Sequence, residues 1–377
     1  MFLKSRFAIV MAVLLVIILV ACTGAAAEPG VGIDHIGNNG DGTFTIYLTD
    51  GSSYTTDNFT GPQGIQGLQG EQGLQGEQGP AGLGYNPTQI ALLRWYEANQ
   101  IGINYTVGSY PIGICFDGVN IWVVNQVDDT VTKLKANDGS LVGTYNVGSS
   151  AESVCFDGAD IWVSSQNDGA ITRLKASDGS LVDTYYVGVA AGPHGICFDG
   201  ANIWVANHFT DSVTKLRASD GAIIGTYDVG AWPENLCFDG ANIWVTDYYD
   251  GTVTKLKASD GSLVGTYDAG WGPWGICFDG SDIWVANQGE NAVTRLSASD
   301  GSLAGKYNNV GMAPQGICFD GANIWVTLAG DNAALKLKAS DGSVIGTYNV
   351  GAWPWAVCFD GVNIWVTNNF DNTVSKL

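Results

Sequence analysis

Two histidines stand close together in the second half of this chain, His194 in Pro-His-Gly and His208 shortly after it. Imidazole titrates near neutral pH, so a His is the first side chain to weigh for acid–base chemistry. That chemistry needs an orienting or charge-balancing partner, and the carboxylates that follow are Glu234 and Asp247. His194, His208 and Asp247 are therefore the catalytic candidates. Nucleophile, zinc-protease and phosphate-loop motifs are absent, since no Gly-x-Ser-x-Gly, His-Glu-x-x-His or Gly-x-x-x-x-Gly-Lys-Ser/Thr occurs. There are no paired Cys-x-x-Cys ligands and no alternating Asp/Asn calcium loop, so no metal and no cofactor are expected.

A second group of residues suits binding rather than catalysis. Of 13 tryptophans, seven recur in an Ile-Trp-Val pattern. Five of the others, Trp232, Trp271, Trp274, Trp353 and Trp355, fall in short stretches that differ from one repeat to the next. The sixth is Trp95. Rigid aromatic platforms beside a few polar groups suit sugar rings, peptides or small aromatic molecules. Tyr110, His194, Glu234 and Gln315 stand in the same stretches, with Glu152. The expected ligand site is thus Tyr110, His194, Trp232, Glu234, Trp271, Trp274, Gln315, Trp353 and Trp355.

The elements that must position these residues are repeats. Ile-Cys-Phe-Asp-Gly or a close variant begins at Ile114, Val154, Ile196, Leu236, Ile276, Ile317 and Val357. Each is followed by Ile-Trp-Val, then a Val-Thr-Lys-Leu-like run. In six repeats an Asp-Gly turn and a run ending in Tyr complete the unit. Four short β-rich runs in about 40 residues make one blade, and seven such units predict an all-β, seven-bladed β-propeller. The seventh unit ends at Leu377 without its fourth run. Asn104-Tyr105-Thr106-Val107-Gly108 matches Thr144-Tyr145-Asn146-Val147-Gly148, so an N-terminal strand is expected to complete the last blade and remove an exposed edge. The Asp-Gly carboxylates are turn chemistry. The seven repeat cysteines, each at the same point of its blade, are expected to be unpaired small buried hydrophobes. The repeat tryptophans and the fourth-run tyrosines are expected to be buried between blades.

The pattern Gly-Ile-x-Phe-Asp-Gly-x-Asn-Ile-Trp-Val-x-Asn resembles the YVTN-type and NHL-type propeller repeats and is similar to the superfamily holding virginiamycin B lyase, over residues 101–377. The lyase resemblance implies catalysis by His with magnesium held by carboxylates near the channel mouth. That family carries Trp-Phe-Thr-Glu, whereas the corresponding Glu position here reads Asn125, Ser165, Asn207, Asp247, Asn287, Leu328 and Asn368. Only Asp247 is acidic.

The remaining segments concern placement in the cell. Lys4 and Arg6 precede an apolar run from Phe7 to Val20, and Leu19-Val20-Ala21-Cys22 resembles a bacterial lipobox. The expected organisation is a signal peptide over 1–21, lipidation of Cys22 with a tether to 28, a small β-hairpin unit over 29–60, and collagen-like Gly-X-Y triplets over 61–84. A short helical linker over 85–100 (helix 88–99) and the propeller over 101–377 complete it. Gly at every third position is what a triple helix needs at its axis, which makes a homotrimer an expected partner state. The formal net charge is −21, which disfavours phosphate backbones, so no nucleic acid is expected. The expected protein is an exported, membrane-anchored lipoprotein, at the cell surface or facing the periplasm. Its propeller would bind an extracellular ligand. A structural envelope protein, or a lyase or hydrolase, are the alternatives.

Overall fold

A computed structural model describes residues 33–39, 43–55, 103–188 and 190–377. The signal segment, Cys22, the Gly-X-Y triplets, Trp95 and the expected 88–99 helix lie outside the described residues. The chain divides into two units, Met1–Gly84 and Tyr85–Leu377. In the first, strands β1 (Ile33–Asn38), β2 (Phe44–Leu48) and β3 (Ser53–Thr55) form an antiparallel meander. The Thr45 hydroxyl ties it together, lying 3.0 Å from Asn39 Nδ2 and 2.9 Å from Thr55 Oγ1.

The second unit is a seven-bladed β-propeller. Blade one consists of β5 (Pro111–Phe116), β6 (Asn120–Asn125), β7 (Thr130–Lys135) and β8 (Leu141–Asn146), paired in that order. Five further four-stranded sheets repeat this plan over 151–186, 193–228, 233–268, 273–308 and 314–349. The inner strands β5, β9 (Ala151–Phe156), β13 (Pro193–Phe198), β17 (Pro233–Phe238), β21 (Pro273–Phe278), β25 (Pro314–Phe319) and β29 (Pro354–Phe359) follow one another around a central channel, and β29 returns to β5.

Blade seven closes as the repeat alignment requires. Its third strand, β31 (Thr373–Lys376), pairs antiparallel with β4 (Ile103–Thr106), with Tyr105 opposite Val374 and Ile103 opposite Lys376. The two ends of the ring thus share one sheet, and no inner edge is left open.

Each repeat residue has a definite task. In blade one, Asp117 Oδ1 accepts the main-chain N–H of Val119 and Asn120, while Oδ2 accepts the Trp122 indole N–H. The same indole bond recurs in all seven blades at 2.7–2.8 Å. A cation from the third strand lies over each indole at 4.5–5.1 Å: Lys133, Arg173, Lys215, Lys255, Arg295, Lys336 and Lys376. Most of these cations also reach the turn of the next blade. Lys133 donates to Ala176 O, Lys215 to Ala258 O and Lys255 to Ala298 O, and Lys376 closes the circle on Ala136 O.

The outer-strand tyrosines pack against the same indoles with ring centres 5.1–5.6 Å apart. Each of six tyrosine rings, from Tyr105 to Tyr307, also occupies the space a Cβ would need on the Asp-Gly glycine of the next blade, as Tyr145 does at Gly179. These glycines also have positive φ, so both space and backbone demand them.

The repeat cysteines are free thiols, as read from their placement, but half-buried rather than fully enclosed. They pack against the interblade clusters, for example Cys115 beside Trp122 and Val154. Burial of the sulfur raises each thiol above its usual range and so disfavours the thiolate.

Where the third-strand cation is Arg, the last residue of Asp-Gly-x-Asn becomes Asp. Arg173 pairs with Asp160 at 2.7 Å, and Arg295 pairs with Asp282. Elsewhere Lys goes with Asn, as in Lys215 with Asn202. Lys215→Met should therefore cost ~2 kcal/mol through the lost charge-assisted bond. Lys215→Arg should be partly tolerated, and adding Asn202→Asp should restore it. Urea midpoints of the three variants measure this, with positive coupling between positions 202 and 215 expected in the double variant.

Candidate functional site

The turns after the first and third strands of each blade carry the repeat residues and share one face of the ring. The other face carries the variable connections. Its centre is built from the second residue of each inner strand: Ile112, Glu152, His194, Glu234, Trp274, Gln315 and Trp355. A second set follows the second strand of each blade: Gln126, Gln166, His208, Tyr248, Gln288, Ala329 and Asn369. Members of the second set lean onto the next blade's member of the first. Gln126 Nε2 donates to Glu152 Oε1 at 2.6 Å, His208 Nδ1 lies 3.1 Å from Glu234 Oε1, and Tyr248 meets Trp274 edge to face.

Four of these residues form a buried polar chain across three blades. His194 Nε2 lies 3.5 Å from Glu152 Oε2, and its Nδ1 lies 3.3 Å from Glu234 Oε2 and donates to the Glu234 carbonyl at 3.1 Å. Glu234 then faces His208. Glu152 is 7% exposed and Glu234 2%. Burial alone would lower the His194 pKa, but the carboxylates of Glu234 and Glu152 outweigh it and raise the value. Burial raises that of Glu152 against the pull of His194. The main chain at His194 is itself held from the preceding blade, because the Ser164 hydroxyl bonds the His194 carbonyl.

Aromatic rings surround this chain. His194 and Trp274 meet edge to face at 5.7 Å, and Trp274 meets Trp355 in the same way at 5.6 Å. His194, Trp274 and Trp355 come from blades three, five and seven. They therefore meet in front of the intervening Glu234 and Gln315, both of which are buried. Farther out, Phe209, His208, Trp232 and Tyr249 form a connected run, and Tyr110, Phe370 and Trp353 form another. Trp232 is 46% exposed and Trp271 67%. The channel below the mouth holds a cavity of about 140 Å³, lined by Ile112, Glu152, His194, Trp274 and Trp355 and, deeper, by Leu236, Ile276 and Val357. A larger open hollow of about 560 Å³ between Arg173 and Arg217 lies on the opposite face, among residues that recur in other blades.

The candidate residues are thus placed unequally. His194, Glu234, Trp274, Gln315, Trp355 and Glu152 occupy the ring, and Trp274 and Trp355 stand on inner strands rather than in loops. Tyr110, Trp232 and Trp353 stand one residue before the inner strands, and Trp271 lies further out on its loop. Asp247 is not joined to either His by any ion pair among the described residues. Its Oδ1 accepts the Gly230 N–H, and its Oδ2 accepts the hydroxyls of Thr252 and Thr254. Asn125 and Asn368 do the same work in their blades. Tyr248, Phe209, Tyr249, Phe370 and Gln126 also belong to this face. Their signal was the variation of the connection between second and third strands.

The carboxylates do not suit the magnesium that the lyase resemblance implies. A magnesium ion wants near-octahedral oxygen donors and several waters. Here Glu234 turns both oxygens and Glu152 its Oε2 onto imidazole nitrogens, while Glu152 Oε1 accepts from Gln126 and Ser150. Among the described residues no group of three or more His, Cys, Asp or Glu is set to hold a metal.

No protein family matches the sequence, and no curated protein matches it. Solved structures share the fold. A catalytically inactive virginiamycin B lyase from Staphylococcus aureus with quinupristin is 20% identical with a TM-score of 0.63, covering 73% of this chain and 98% of that one. A streptogramin B lyase is 21% identical with a TM-score of 0.62, over 73% and 96%. Kuenenia stuttgartiensis hydrazine synthase is 18% identical with a TM-score of 0.63, over 71% and 95%. At such identities the likeness establishes the propeller, not an activity.

Asp247 yields a pH-dependent expectation. Burial raises its pKa from 3.8 to about 7 against three hydrogen bonds that favour the carboxylate. The folded chain thus holds this proton to a higher pH than the unfolded chain. The resulting stability is fully present below the unfolded value and is lost as pH rises through about 7. Asp247→Asn keeps the donor–acceptor pattern of Asn125 without the charge. It should leave stability nearly unchanged at pH 4 and raise it by ~3 kcal/mol at pH 8. Urea unfolding at the two pH values measures the difference.

Proposed function

We propose that the propeller is a binding module whose variable face takes part of a sugar, a peptide or a small aromatic ligand. The observation that carries this reading is the connected aromatic surface around a buried Glu–His chain. Trp232 and Trp271 are exposed there, while Trp274 and Trp355 wall the channel mouth. Exposed aromatic side chains gathered at a channel mouth support an interaction site there. A cavity of about 140 Å³ is well below the ~300–1,000 Å³ of a pocket for a whole drug-sized ligand. One functional group enters the channel, and the rest of the ligand lies across the outer rings.

A glycan and peptide screen, followed by Trp232→Ala, Trp274→Ala and Trp355→Ala, tests the site. Each change should weaken a true ligand at least ~10-fold, about 1.4 kcal/mol. A ligand that keeps its affinity through all three changes would sink the assignment. The Glu152–His194–Glu234–His208 chain favours a second reading, a lyase of the virginiamycin B lyase type. On the binding reading the wild-type protein leaves quinupristin intact, as followed by mass spectrometry. Its consumption, lost in His194→Ala, would favour the lyase.

The lipobox-like Leu19-Val20-Ala21-Cys22 supports display of this module on a membrane through a lipid on Cys22. The Gly-X-Y triplets would serve as a stalk that gathers three copies, and weak sites gain avidity when linked. Cys22→Ser should move the protein from the detergent-extracted membrane fraction to the soluble fraction. Retention in the membrane would refute lipid anchoring.

A further inference from the structure

The cations of the propeller are segregated, whereas carboxylates lie on both faces. Its third strands carry every Lys and Arg described except Lys306, and Lys306 is paired with Glu290 at 2.8 Å. Those third-strand cations sit toward the repeat-turn face, where seven lie over indoles. The variable face instead carries exposed carboxylates at Asp128, Asp168, Asp211, Asp250, Asp331 and Asp371. These spend only part of their capacity on main-chain N–H groups, such as those of Ser109 and Ala231. A concave mouth ringed by one sign of charge concentrates ions of the other sign.

Within the mouth, two buried carboxylates face one imidazole. His194 is met by Glu152 from β9, by Glu234 from β17 and, through Glu234, by His208 of its own blade. Trp274 from β21 covers it edge-on. A second observation is independent of these charges. Gln315 stands in the same ring, fully buried, and among the described residues neither atom of its amide has a hydrogen-bond partner. An unpartnered buried amide is unfavourable by ~1–3 kcal/mol. It stands ready for a polar group that enters where Trp274 and Trp355 meet.

Resting on the binding reading above, we propose that the group entering the channel mouth is an organic ammonium, which takes the place of the His194 proton between Glu152 and Glu234. The aromatic walls at Trp232, Trp274 and Trp355 suit a cation, and Gln315 offers hydrogen bonds to an adjoining amide. The two carboxylates face a single positive charge in either state. Below the His194 pKa that charge is the imidazolium. When the ammonium enters, the imidazolium loses its proton to solvent. Proton and ligand are therefore linked, and ammonium affinity rises with pH until His194 is neutral in the free protein.

The test uses the full chain and two shape-matched pairs of probes, each with one charged and one neutral member. Choline is compared with its neutral isostere 3,3-dimethylbutan-1-ol, and alanyl-alanine amide with its N-acetyl form. Calorimetry at acid and neutral pH, in two buffers of different ionisation enthalpy, counts protons released without any variant. The expected results are at least ~10-fold tighter binding of one charged member than of its neutral partner, and release of about one proton at the acid pH. The pair that responds tells a quaternary amine from a peptide amine. His194→Gln should remove the pH dependence and the proton release, whereas Glu152→Gln and Glu234→Gln should weaken ammonium binding itself. Equal affinity for charged and neutral probes, absence of proton release, or no binding up to millimolar concentration would overturn the proposal. If a neutral ligand from the glycan and peptide screen still loses affinity on Trp232→Ala and Trp274→Ala, the binding reading survives and only the cation inference fails. If tryptophan changes leave every ligand unaffected, both fail.

Discussion

Everything in the ring depends on one repeated contact between blades. An aspartate in the turn after the inner strand fixes an indole by its N–H, and a lysine or arginine lies over that indole and bonds the turn of the next blade. A buried ammonium is costly unless it is well paired. Here Lys215 is 4% exposed, with a ring beneath it and two carbonyl oxygens, those of Ala258 and Ser259, at its head. The outer tyrosine adds a second join, since its ring fills the space left by the next blade's turn glycine. Six of the seven blades therefore grip the next at the same end. Lys376 and Tyr105 make the joins from blade seven to blade one, so the ring closes by the contacts that build it.

This arrangement has an electrostatic consequence. The cations are drawn to the repeat-turn face to do the interblade work. There the turn aspartates offset them, whereas the opposite face keeps carboxylates with almost no cation beside them; their structural role is to accept main-chain N–H groups across connections. The same polarity that holds the blades together thus sets the character of the variable mouth. It explains how an acidic mouth with aromatic walls arises in a chain whose repeats are otherwise nearly identical.

The ring was legible in the sequence because period, turn residues and closure agree. Cys115 to Cys358 mark the blades, Asp-Gly marks the turns, and the match of 104–108 to 144–148 supplies the missing strand. Periodicity states which residues recur but not which touch. The joint choice of Asp160 with Arg173 and of Asp282 with Arg295 could have been read from the repeats, yet its meaning needs the cation placed over the indole. At the mouth, variation marked the connections that share one face. It could not separate Asp247, an acidic substitute for a structural asparagine, from Glu234, which faces two histidines. Both are carboxylates one residue from an element boundary, and only the register shift after Pro233 puts Glu234 in the ring.

The outer aromatics bear on whether this face serves the fold or something beyond it. Seven residues that precede the inner strands share a left-handed backbone: Tyr110, Ser150, Gly192, Trp232, Gly272, Ala313 and Trp353, with φ between 52° and 67°. Glycine adopts this region freely, whereas a bulky side chain there is strained by ~1 kcal/mol or more. Five of the seven offer their N–H to an Asp or Asn of the preceding blade, as Trp232 does to Asp211 and Trp353 to Asn332. For Gly192 and Gly272 the preceding position is itself glycine, Gly169 or Gly251, with no side chain to accept. The ring thus tolerates glycine, serine and alanine at this point, with or without the bond. Nothing in the connection calls for tryptophan or tyrosine. The strain of Tyr110, Trp232 and Trp353 answers no packing need that the other blades share, which favours the binding role proposed for the open face.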